Sequence, residues 1–196
     1  VNIHRRKQDD LIFEHDEFIK PDTTVEILSK LRPAFRKEGG SVTAGNSSGL
    51  NDGSAALLLA NESGLSSSGL SPLAQIISSA VVGVEPRIMG IGPVRASEIA
   101  LKRAGITFDD LDVIELNEAF SAQALACIRA WGLDDDDSRI NPNGGGISIG
   151  HPLGVTGSRI LLAAARQLER TGGKYGLVTL CIGVGQGYAV VIKNTQ

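Results

Sequence analysis

Gly144-Gly145-Gly146-Ile147-Ser148-Ile149-Gly150-His151-Pro152-Leu153-Gly154 sets a histidine between a glycine-rich turn and a stretch that reads as helix. Further on, Leu180-Cys181-Ile182-Gly183-Val184-Gly185-Gln186-Gly187 sets a cysteine before a second glycine-rich turn. A histidine and a cysteine in such loops are the parts of an acid/base or nucleophile pair. Glycine frees the backbone to approach a substrate and to aim N–H groups at developing negative charge. Each loop alone has a plain structural reading: a hydrogen-bonded turn histidine, a core cysteine. Their joint occurrence with Asn117-Glu118-Ala119-Phe120 favours chemistry.

Working outward, strand and helix patterns alternate from residue 73. Ala74–Val84 reads as a strand, Pro93–Ala104 as a helix stopped by Gly105, Val113–Leu116 as a short strand and Ala119–Trp131 as a helix followed by Gly132. Ser158–Thr171 is a periodic helix. Tyr175–Cys181 and Tyr188–Ile192 read as antiparallel neighbours at the end of a sheet. This alternation predicts a layered α/β domain. Asn117, His151 and Cys181 each fall at a strand end or in the loop after one, where open α/β sheets bind ligands. Gly183 and Gly185 can offer backbone N–H groups. No helix follows the Gly183 turn, so it is not a dinucleotide fingerprint.

The first third is less regular. Residues 1–20 read as extended structure or a tether. Thr23 and Glu26 have capping-box spacing for a helix to about Leu31. Residues 43–53 form a small-residue loop. Ser54–Ala60 has the composition of a helix, but its shortness and its glycine and asparagine borders favour a buried strand, and Ser63–Ser71 reads as a Ser/Gly linker.

The 196 residues can bury a sizeable core, and 42% hydrophobic with 21% charged residues is a globular balance. A net charge of −3 speaks against general affinity for nucleic acid or an anionic membrane, and no apolar run reaches spanning length. Cys127 lies in a helical apolar run and reads as a buried core thiol, with no disulfide to Cys181 expected. The run Asp134–Asp137 reads as a solvated loop tip, and no metal-ligand spacing is visible.

The ordered blocks Thr43-Ala44-Gly45-Asn46-Ser47-Ser48-Gly49-Leu50-Asn51-Asp52-Gly53, Met89-Gly90-Ile91-Gly92-Pro93, Asn117-Glu118-Ala119-Phe120, Gly150-His151-Pro152 and Cys181-Ile182-Gly183 resemble the C-terminal half of a thiolase (acetyl-CoA C-acyltransferase) over nearly the whole chain. Asn141-Pro142-Asn143-Gly144-Gly145 and Gly183–Gly187 look most like degradative thiolases of the 3-oxoadipyl-CoA or 3-ketoacyl-CoA type. Gly146 and Ser148 stand where that family usually has Ala, and Ser63–Ser71 where it usually has a helix.

The resemblance implies a layered α/β/α fold with a mixed sheet. Residues 1–50 would be the tail of a lid and loop region, 51–72 a remnant of the N-terminal domain with a linker, and 73–196 the C-terminal domain. It implies cleavage of a 3-oxoacyl-CoA by CoA, giving acetyl-CoA and a shortened acyl-CoA. His151 matches the activator of a nucleophilic cysteine and an oxyanion-hole former. Cys181 matches the acid/base cysteine at the acyl α-carbon, Asn117 the holder of a water in that hole, and Gly183 an N–H donor. Ser48, with Ala44 and Gly45, matches the loop that touches the CoA pantetheine, and Met89 a pocket-lining position. No covalent cofactor is implied; coenzyme A is a substrate. Implied partners are acyl-CoA, the N-terminal half and further copies in a dimer or tetramer, in the cytoplasm. The alternative is a non-catalytic CoA- or acyl-binding or assembly module on the same scaffold.

The family's acylated cysteine belongs to the N-terminal half, and neither Cys127 nor Cys181 stands in a matching motif. The chain by itself is therefore expected to be inactive, because covalent acyl transfer needs its nucleophile. Incubation with acetoacetyl-CoA and CoA should leave the substrate absorbance unchanged; turnover that survives repurification would contradict this.

Overall fold

The structure is a computed structural model that describes residues 1–16 and 18–196. The chain forms two compact units, Val1–Leu31 and Arg32–Gln196. In the first, β1 (Asn2–Ile3) and β2 (Leu11–Ile12) pair antiparallel, closed by reciprocal Val1–Phe13 backbone hydrogen bonds of 2.8 Å. The extended reading of residues 1–20 thus resolves into a small hairpin, with Glu17 outside the described residues. Helix α1 spans Val25–Ser29, shorter than expected. Its cap is Thr24, whose Oγ1 accepts from Ile27 N, not Thr23, whose hydroxyl donates to the Lys20 carbonyl.

In the second unit, residues 54–60 form neither strand nor helix, correcting the strand expected there. Leu58 and Leu59 are exposed, and among the described residues no neighbouring strand satisfies this backbone. The expected Ser/Gly linker is in fact helix α2 (Glu62–Ser68). Asn61 Oδ1 caps it by accepting from Gly64 N at 2.9 Å, and Gly69 ends it in the left-handed region at φ 66°. Ser66 and Ser67 hydroxyls return to the carbonyls of Glu62 and Ser63. Caps at both ends offset the weak helix preference of the composition, while the serine hydroxyls satisfy themselves locally on the helix's own carbonyls.

The core is a four-stranded mixed sheet of β3 (Ala74–Gly83), β4 (Val113–Leu116), β5 (Tyr175–Ile182) and β6 (Gln186–Asn194), in the order β3-β6-β5-β4. β6 runs antiparallel to both neighbours, and β4 and β5 are parallel. β5 and β6 are neighbours as expected but occupy the centre of the sheet, not its end, because β3 returns to cover β6. Helix α3 (Gly92–Ala104) packs Ala96, Ala100 and Leu101 on one face with Ile114, Leu177, Ala189 and Val191. Helix α4 (Ser121–Ala130) joins it through Ala124, Cys127 and Ile128 against Leu116. Helix α6 (Leu153–Thr171) covers the opposite face, packing Ile160, Ala164, Ala165 and Leu168 against Val113, Val178 and Val190. These are the three layers of an α/β/α fold. The alternation of Val113 and Ile114 between the two faces is the strand period of two.

α6 starts at Leu153, five residues before the expected Ser158, and a one-turn helix α5 (Gly146–Ile149) precedes it. α3 meets the start of β6 at a glycine pair: a Cβ on Gly92 would lie 2.7 Å from Gly187 Cα. Such close backbone contact is available only where both side chains are absent.

Glu115 is the charged side chain inside β4, only 2% exposed. Burial pushes its carboxyl from the ordinary 4.5 up to about 7; Arg159 opposes the rise and Glu118 adds to it. The unfolded chain releases this proton near 4.5 while the folded chain keeps it to about 7. Stability contributed here is therefore complete below 4.5 and is lost as pH rises through 7. Glu115→Gln should flatten this slope and stabilise the fold by up to about 3 kcal/mol at pH 8. Urea denaturation at pH 4.5 and pH 8 measures the difference; equal effects at both values would contradict it.

Candidate active site

The parallel pairing of β4 and β5 brings the site to one rim of the sheet. Leu116 pairs with Thr179, and the ladder continues one step further, where Asn117 N donates to the Thr179 carbonyl at 3.0 Å. Asn117 therefore lies beside the C-terminal end of β5, where Cys181 sits two residues beyond Thr179. Asn117 is 1% exposed. Its amide nitrogen meets His151 Nε2 at 3.3 Å, and its Oδ1 is buried with no partner among the described residues.

His151 is fixed from several sides. Its backbone N–H donates to Asn51 Oδ1 at 3.1 Å, across 100 residues of sequence. Its Nδ1 lies 2.7 Å from Thr156 Oγ1, and that hydroxyl donates to the Pro152 carbonyl at 3.2 Å. With its proton so committed, Thr156 accepts from Nδ1–H. This assigns the tautomer that leaves a lone pair on Nε2, facing Asn117. Burial, and then the charge of Arg159, hold the imidazole below its ordinary titration range. The ring is therefore neutral at pH 7, with its basic nitrogen at the rim. Gly150 is required next to it: φ is +102°, and a Cβ would lie 2.5 Å from Asn51 Oδ1.

Cys181 is buried, and burial pushes its thiol above the ordinary range. It is a protonated thiol at neutral pH, an acid more than a ready nucleophile. No side-chain hydrogen bond joins it to His151 or Asn117 among the described residues; the sheet sets their relation. Gly183 begins the exposed turn between β5 and β6, followed by Val184 at φ 69° and Gly185 at φ 94°. Positive φ costs a β-branched residue, so this turn holds Val184 in a strained conformation. Cys127, expected in the core, is fully buried there. Its sulfur donates to the Gly90 carbonyl at 3.4 Å, and burial raises its pKa to about 11. Both cysteines are free.

The loop with Ala44, Gly45 and Ser48 docks on the Asn117 loop. Ser48 N and Oγ both donate to the Ala119 carbonyl, and Ser121 N donates to the Asn46 carbonyl. Asn46 shapes the turn by accepting from Thr43 N and donating to the Ser41 carbonyl. Met89, half-buried, lies in the turn between β3 and α3, which rests on α4 where Gly90 meets Gln123. Exposed apolar side chains flank the centre: Ile149 and Leu153 beside His151, Ile182 and Val184 beside Cys181.

Residue patterns missed the braces. Asn141, at φ 47°, extends the edge of β4 with its side chain: its Oδ1 accepts from Leu116 N, and its Nδ2 donates to the Leu116 carbonyl, both at 2.9 Å. The same Nδ2 donates to Glu118 Oε1 at 2.8 Å, and Glu118 Oε2 accepts from Ile147 N at 3.2 Å. Glu118 thus ties the Asn117 loop to the turn that leads to His151. Asn141 lies within a motif quoted above, but nothing in the motif announces its double contact. Asn51 becomes visible as a site residue only once chain segments far apart in sequence meet, and Thr156 and Arg159 only once the start of α6 folds back on the Gly150–His151 peptide. The acid run at 134–137 is no cluster: Asp135 pairs with Arg129 and Asp137 with Arg139.

Residues 70–194 match the family model described as thiolase, C-terminal domain, and residues 1–63 that of the thiolase N-terminal domain. The chain belongs to the thiolase family. It is 53% identical over 194 residues to a beta-ketoadipyl-CoA thiolase of Acinetobacter baylyi, covering 99% of this chain and 48% of that protein. It is 53% identical over 181 residues to the 3-oxoadipyl-CoA/3-oxo-5,6-dehydrosuberyl-CoA thiolase of Escherichia coli, covering 92% and 45%. Among solved structures, human mitochondrial 3-ketoacyl-CoA thiolase in complex with CoA superposes with a TM-score of 0.88 at 48% identity, covering 94% of this chain and 46% of that one. The chain thus spans about half the length of the curated relatives it matches.

The Glu118 brace passes over Gly145, where an added Cβ would collide with the carboxylate. Gly145→Ala should displace Glu118 from Ile147 N and cost about 1–3 kcal/mol, the usual scale of overpacking. A lowered urea midpoint with an unchanged slope is the expected result.

Proposed function

We propose that this chain carries the acid–base machinery of a degradative thiolase, acting on a 3-oxoacyl-CoA with CoA to release acetyl-CoA and a shortened acyl-CoA. The observation that carries the proposal is the neutral His151, its Nε2 turned to the buried Asn117 amide at the sheet rim that also ends in Cys181. The relatives' names support the substrate class, and 3-oxoadipyl-CoA is the favoured type.

In this reading His151 Nε2 takes the proton of a cysteine thiol supplied by the N-terminal half of the enzyme. The thiolate attacks the 3-oxo carbonyl carbon, and the C2–C3 bond breaks with its electron pair going to C2. The Cys181 thiol, kept protonated by burial, gives its proton to C2 and acetyl-CoA leaves. The Cys181 thiolate then takes the proton of the incoming CoA thiol, whose sulfur attacks the acyl thioester and frees the nucleophile. Asn117 Oδ1, buried without a partner among the described residues, suits a water held for the oxyanion, and Gly183 N–H serves the second oxyanion. The loop of Ala44, Gly45 and Ser48 receives the pantetheine, and Met89 lines the acyl pocket. The exposed apolar rim suits pantetheine and acyl chain alike.

In the full-length protein His151→Ala should lower kcat about 10²–10⁴-fold, the scale of lost general acid–base catalysis. Cys181→Ala should impair proton transfer at carbon while leaving acylation by acetyl-CoA intact. Trapping the labelled acyl-enzyme separates the two roles: strong labelling is expected in Cys181→Ala and weak in His151→Ala. Equal labelling would overturn the division.

A further inference from the structure

Arg159 lies on α6, half-buried, and its Nη1 donates to the Gly150 carbonyl at 2.7 Å. That carbonyl belongs to the peptide that carries His151. Gly150 sits at φ +102°, and the peptide's other end, His151 N, is held by Asn51 Oδ1. One peptide is thus gripped at both ends, by a guanidinium and by an amide, in a conformation with little rotational freedom. The titratable and charged groups on the surrounding elements are Arg159 on α6, Glu115 on β4, Glu118 just after it, Cys181 on β5 and Asp52 in the loop beside Gly150. Of these, Arg159 is the one whose charge bears on the imidazole.

We propose that Arg159 is the positioning residue of His151, fixing its peptide through the Gly150 carbonyl and setting a positive charge beside the ring. The inference rests on the reading of His151 as the base. It adds a second contribution to the base's readiness, after burial: a cation beside an imidazole disfavours the imidazolium and helps Nε2 keep its lone pair at neutral pH. A guanidinium suits the task because it stays charged through the whole range in which histidine titrates.

The test is NMR titration of the His151 ring in the full-length protein, with His151→Asn to assign its signals. In Arg159→Gln the His151 midpoint should rise, the acid limb of kcat/KM should move up with it, and kcat should fall roughly 10-fold as the peptide loosens. Arg159→Lys keeps the charge and loses the planar fork. Its midpoint should stay near the parent's while kcat still falls. An unmoved midpoint in Arg159→Gln overturns the proposal. Should that variant not fold, Arg159→Lys decides alone: a parental midpoint with reduced kcat supports the proposal, and a raised midpoint or a parental kcat overturns it. Undiminished thiolysis in His151→Ala would instead remove the reading of His151 as base, while the ring titration would still report on the charge of Arg159.

Discussion

The hydrogen bond from Asn117 N to the Thr179 carbonyl is the joint on which the site turns. It extends the parallel β4–β5 ladder one residue past the strand, and so fixes Asn117 against β5 two residues before Cys181. A one-residue slip of β4 would send Val113 and Glu115 to the other face of the sheet and carry Asn117 away from His151. That register is protected on both edges. On one side lies the β5 ladder. On the other, the Asn141 amide imitates a strand residue against Leu116. Residues 139–141 thereby do the work of a fifth strand while remaining a loop.

Around this joint the loops hold one another, with α6 adding Thr156 and Arg159 at His151. Glu118 spans from the Asn117 loop to Ile147, Asn51 reaches from the 43–53 loop to His151, and Ser48 leans on Ala119. Glycine stands wherever these crossings are tight, at Gly145 against Glu118 and at Gly150 against Asn51. The composition of these loops, small and polar, follows from the need to pass polar side chains across backbone at hydrogen-bond distance.

Much of the second unit was legible in the sequence because its signals are local. The strand periods of β3 to β6 and the stops at Gly105 and Gly132 were all readable, and the thiolase motifs marked Asn117, His151 and Cys181. What misled was composition without context. Ser54–Ala60 is apolar, and its shortness and borders suggest a buried strand, but among the described residues no strand pairs with it, and the serines of α2 form a helix once Asn61 and Gly69 close its ends. Sheet order was not legible either. That β6 lies between β3 and β5 depends on long-range pairing that no local pattern carries. The same holds for Asn51, an ordinary polar residue until the fold puts it on His151; Thr156 is close in sequence, but its role depends on how the first turn of α6 folds back on the ring.

The two buried thiols have a further chemical consequence. Burial raises both Cys127 and Cys181, and alkylating reagents attack the thiolate, not the thiol. At neutral pH this chain is therefore a poor target for iodoacetamide or maleimide despite its two free cysteines. A cysteine activated by His151 would stand out against that quiet background. Labelling stoichiometry near neutrality would then count the activated sulfurs alone, with the chain's own thiols joining only as the medium turns strongly alkaline.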